Sequence, residues 1–105
     1  MWEIYERKMR FLAAWSPVAS VSSRKDTLEA LRSLAIESFY KFNTPDAVGG
    51  IEFIAVGHGA SLVARVEHSI YTPPHARLFV NFDWATGDVI CPGDKVFDYV
   101  QVTDF

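Results

Sequence analysis

Residues 23–45, SRKDTLEALRSLAIESFYKFNTP, decide the fold. Leu28, Leu31, Ala35, Phe39 and Phe42 recur at steps of three and four, so a helix places them on one face. Leu34 and Ser38 fall at the edge of that stripe, and Arg32 and Lys41 outside it. Ser23 and Asp26 both offer side-chain oxygens to the free N–H groups of a first turn. Asp26 and Glu29 also suit the positive end of the helix dipole. Pro45 biases Thr44 toward extended backbone, and Asn43 tolerates the left-handed turn that often ends a helix. The spacing therefore predicts a helix over about 24–42. A face ending in two phenylalanines needs a broad apolar partner, and the second half of the chain reads as the sheet that supplies it.

That half is a series of short runs rich in Val, Ile, Phe and Tyr: 51–56, 61–71, 76–84, 88–91 and 95–105. Gly57-His58-Gly59, Ala85-Thr86-Gly87 and Pro92-Gly93-Asp94 read as tight turns, and Pro73-Pro74 should interrupt pairing. Leu62, Ala64, Val66 and Ile70 alternate onto one face, as do Leu78, Val80, Phe82 and Trp84. Arg65, Glu67, Arg77, Asn81 and Asp83 take the other, which predicts an antiparallel sheet with one side covered and one wet. The glycines at 48–50 and 57–59 lead toward strands rather than into a helix, so both read as turns and not as phosphate cradles.

Ahead of the helix the reading divides. Residues 2–15, WEIYERKMRFLAAW, are mostly good helix formers, with Trp2, Tyr5, Met9 and Leu12 at helical spacing. A helix is the first expectation. A strand over part of the segment competes, weakened by the charge of Arg7 on its apolar side. Residues 16–22, SPVASVS, read as a connector with a short extended piece at Val18 and Val21. The expected architecture is thus α+β: an antiparallel sheet of about four to five strands, the main helix on one face, and an N-terminal helix or strand. All 105 residues are expected to form one domain.

Composition narrows the function class. A net charge of −3 argues against direct nucleic-acid binding, which usually needs a basic surface. Half the residues are hydrophobic, yet no run reaches the roughly 18 needed to span a membrane. No secretory signal is evident, and the lone Cys91 fits a reducing compartment, so a cytoplasmic location is expected. No G-x-S-x-G, H-E-x-x-H or C-x-x-C spacing occurs. No metal or other cofactor is expected.

The remaining signal is a surplus of large aromatics. Phe79, expected on the wet face beside Arg77 and Asn81, joins Phe97, Tyr99, Trp2 and Tyr5 as candidates for contact with a protein partner. The favoured reading is a small non-enzymatic protein-binding module, an acidic regulator or inhibitor that occupies a partner's surface. A short acidic chain of this kind would suit a mobile-element or phage-encoded inhibitor of a host defence or nucleic-acid-binding complex. Two alternatives stand beside it. One is a metal- or His-assisted enzyme or ligand-binding domain using His58, His68 and His75 near Cys91, which requires at least two of those side chains to converge. The other is a structural homodimer joined through the last strand or the N-terminal aromatics.

Overall fold

The computed structural model of the chain describes residues 1–9, 13–41, 49–69, 75–90 and 95–98. The helix α1 runs Arg24–Lys41. Ser23 is its N-cap: the hydroxyl accepts the Asp26 N–H at 3.1 Å. The Ser23 carbonyl takes both the Thr27 N–H at 3.1 Å and the Thr27 hydroxyl at 2.7 Å, which satisfies a fully buried side chain. Leu31, Ala35 and Phe39 are fully buried, and Leu28 and Leu34 pack partly against the same core. Phe42 lies outside the described residues.

Six strands form one antiparallel sheet: β1 Trp2–Lys8, β2 Ser16–Val21, β3 Gly49–Gly57, β4 Ala60–Ser69, β5 His75–Val80 and β6 Lys95–Asp98. Their spatial order is β2-β1-β3-β4-β5-β6. Helix α1 packs on β2, β3, β4 and β5, which confirms the α+β class and the one-sided helix. The core between them gathers Trp2 and Ile4 from β1, Phe53 and Ala55 from β3, Leu62, Ala64 and Val66 from β4, and Leu78 and Val80 from β5, with Phe82 beyond it. Each large apolar side chain buried there contributes roughly 1.5–3 kcal/mol against the cost of ordering the chain.

The sheet reaches six strands because two of them come from ahead of the helix. Residues 2–8 are β1, and the piece at 16–21 is β2. Helix propensity gives way to tertiary pairing: β1 has a neighbour on each side, Glu3 opposite Val56 and Ser20. Arg7, whose charge argued against a strand, lies 3.2 Å from Glu52 on β3, with its guanidinium 4.4 Å from the centre of the Trp15 ring. The β2–α1–β3 connection joins two parallel strands with β1 inserted between them.

The β3–β4 hairpin turns at His58-Gly59, where φ is 49° and 74°, the left-handed pair of a two-residue turn. The glycines before β3 are not a turn. Gly49 and Gly50 already pair with β4, and a Cβ on Gly50 would sit 2.1 Å from the Val66 carbonyl oxygen, at a φ of 139°. Residues 88–90 do not form a regular strand. Phe82 and Val89 form an isolated bridge around the turn 83–88. Asp83 shapes that turn by accepting the Ala85 and Thr86 N–H groups at 2.8 and 3.3 Å. Arg24 ties the turn to the start of α1, donating to the Gly87 carbonyl at 3.1 Å.

Candidate functional site: the face of the sheet opposite the helix

Pairing register places the outward side chains in rows across the strands. One row runs Tyr5, Ile54, Val63 and continues to Asn81. The next runs Arg7, Glu52, Arg65 and Phe79. A shorter third row pairs Glu67 with Arg77. On the other flank, Glu3, Val56 and Ser61 form a fourth. Tyr5, Ile54, Val63 and Phe79 are half-buried, Val56 and Arg77 exposed.

Charges on this face pair both across strands and along one. Arg7 reaches Glu52 at 3.2 Å and Arg65 reaches Glu67 at 3.0 Å. The Arg65 guanidinium also sits 4.6 Å from the centre of the Phe79 ring, which holds both side chains flat on the sheet. Within these four rows Arg7, Arg65 and Arg77 stand beside Glu3, Glu52 and Glu67, and the register of β6 sets Asp98 opposite Arg77.

The residues expected to contact a partner divide three ways. Tyr5, Phe79 and Arg77 lie on this face. Asn81 lies at its border, with its amide engaged in the fold: the oxygen accepts the Val63 N–H at 2.7 Å and the nitrogen donates to the Ser61 carbonyl at 3.1 Å. Trp2 must be reassigned. It is 2% exposed, packs in the core, and lies 5.6 Å ring to ring from His58 under the β3–β4 turn. Register explains this, since Trp2 shares the helix-side parity of Ile4. Phe97 pairs with Leu78 through β6, and Tyr99 lies outside the described residues. Ile54 and Val63 are the members that sequence reading missed. For Val63 the signal was the same alternation that placed Leu62 and Ala64 inward.

The three histidines do not converge. His58 is in the β3–β4 turn, whereas His68 is at the far end of the ten-residue β4, so roughly 25 Å of strand separates their backbones. His75 pairs with Ser69 at that far end. A three-histidine centre is therefore not formed, and Cys91 lies outside the described residues. A surface depression of about 380 Å³ between α1 and the 83–88 turn is lined by Leu28, Glu29, Arg32, Trp84 and Ala85, away from the rows above. No helix among the described residues is long and apolar enough to cross a membrane. No family model matches the chain, and no curated protein or solved structure matches it significantly.

Proposed function

We propose that the face opposite α1 is a protein-binding surface and that the chain is a small non-enzymatic regulator or inhibitor acting by occupying a partner. The observation that carries this reading is the Tyr5–Ile54–Val63 row beside Phe79, on a sheet face where no described element packs. Aromatic and aliphatic anchors inside a rim of paired charges match the anatomy of binding hot spots. The reading combines apolar anchoring with short-range charge matching to a partner's surface. In its narrower form, an inhibitor from a mobile element or phage directed at a host defence or nucleic-acid-binding complex, the proposal rests on the chain's small size, its net charge and the lack of catalytic motifs.

The test is affinity capture with three baits: the wild type, Tyr5→Ala/Phe79→Ala, and Lys25→Ala on the exposed side of α1. A specific partner retained by wild type and Lys25→Ala, and weakened about 30-fold or more by the double variant, is the expected result. Circular dichroism confirms that the double variant is folded. Capture that is indifferent to the double variant, or no specific partner at all, overturns the proposal.

A further inference from the structure

We infer that β2 is a self-pairing edge through which two copies of the chain join their sheets. Among the described strands β2 has a neighbour on one side only, β1, and its residues Ser16 to Ser20 are all exposed. An edge strand presents unpaired N–H and C=O groups, and monomeric sheets usually blunt them with charge, proline or a bulge. Here the blunting is confined to one end. Pro17 and the irregularity opposite Ile4/Tyr5 protect the start of the strand. Ala19 to Val21, beyond the extra residue Val18, carries no such guard, and the whole stretch from Phe11 to Ser23 has no Asp, Glu, Lys or Arg in a chain that is 22% charged. Trp15 and Val18, each 36% exposed, add apolar area beside this edge.

A second copy is the occupant this edge fits. A two-fold axis perpendicular to the sheet pairs β2 antiparallel with itself and keeps each face continuous across the seam. Same-face residues must then lie opposite one another. The short register centred on Ala19 sets that residue against its own copy and Val18 against Ser20, with Pro17 outside the paired stretch. No charged residue of β2 opposes another, and no side chain in the paired stretch is larger than valine. The nearest carboxylate, Glu3 on β1, is already held by the Ser20 hydroxyl at 2.6 Å. Both helices fall on one side of the joined sheet. Both Tyr5–Ile54–Val63 rows fall on the other, so the dimer presents two copies of the outward face side by side. Short strand pairs bury less than the roughly 1,200 Å² of a stable interface, so the association is reversible and driven by concentration.

Sedimentation velocity from about 1 μM to 1 mM tests this, the span in which a small interface becomes populated. The wild type should move from monomer to dimer, and Val18→Lys should weaken the association about tenfold or more while leaving the circular dichroism spectrum unchanged. As a register probe, Ala19→Cys is oxidised with glutathione disulfide. Peptide mapping should find a 19–19 intermolecular bond, because residues opposed across an antiparallel pair fall within disulfide reach. An Asp88→Cys control on the remote turn should give no corresponding 88–88 bond. A wild type that stays monomeric throughout, a Val18→Lys chain that dimerises as well as wild type, or no 19–19 bond overturns the inference.

Discussion

Asn81 shows how one amide can finish a sheet. The β5 ladder ends at Val80, and the next residue pairs with its side chain as well as its backbone. Its N–H donates to the Val63 carbonyl at 3.2 Å while its side-chain oxygen takes the Val63 N–H at 2.7 Å. Asn81→Ala leaves that N–H and the Ser61 carbonyl without their partner. The expected loss is about 1–3 kcal/mol in urea unfolding, with the same m-value. A loss under about 0.3 kcal/mol would mean that water replaces the amide at no cost. Sequence reading placed Asn81 correctly on the outward side but took its polarity for binding chemistry. The hydrogen bonds that explain it depend on where β5 stops, and nothing in the local pattern marks that point. Trp2 was misplaced for a related reason. Its inward parity becomes visible only once residues 2–8 are known to be extended.

Among the elements, α1 was the most legible. Its apolar spacing, its serine cap and its buried Phe39 are all local signals, and the structure keeps each of them. Ser23→Ala should cost about 1 kcal/mol, read as a lowered melting temperature, because the Asp26 N–H loses its acceptor. The N-terminal strands were the least legible. Glu, Arg, Lys and Met favour helix in isolation, and the gain that overrides them comes from β3, more than 40 residues away. Arg7 reads as an intruder on an apolar strand until Glu52 and Trp15 are placed around it. The alternation in β4 and β5, by contrast, named the inward and outward residues correctly, because a sheet covered on one side imposes a strict period of two.

For the molecule as a whole, the order β2-β1-β3-β4-β5-β6 sets a gradient of stability. β3 and β4 have strands on both sides and α1 over one face, so their amides should exchange slowest with deuterium. β2, paired on one side and exposed, should exchange among the fastest strands in dilute solution. Its outward-pointing amides should slow as concentration rises if copies join there. Uniform protection across β2 and β3 in dilute solution would contradict this gradient.

The placement of β1 has a consequence in time. β1 is synthesised before the other five strands and lies inside the sheet, yet one of its neighbours is made much later: Glu3 must await Val56. At about 5–20 residues per second this is a delay of roughly 3–10 s, during which β1 has only β2 beside it. A two-stranded ribbon is marginal in water, so Trp2 and Ile4 spend that interval uncovered. β1 therefore gains its second neighbour, and Trp2 and Ile4 their full cover, only once β3 has been made.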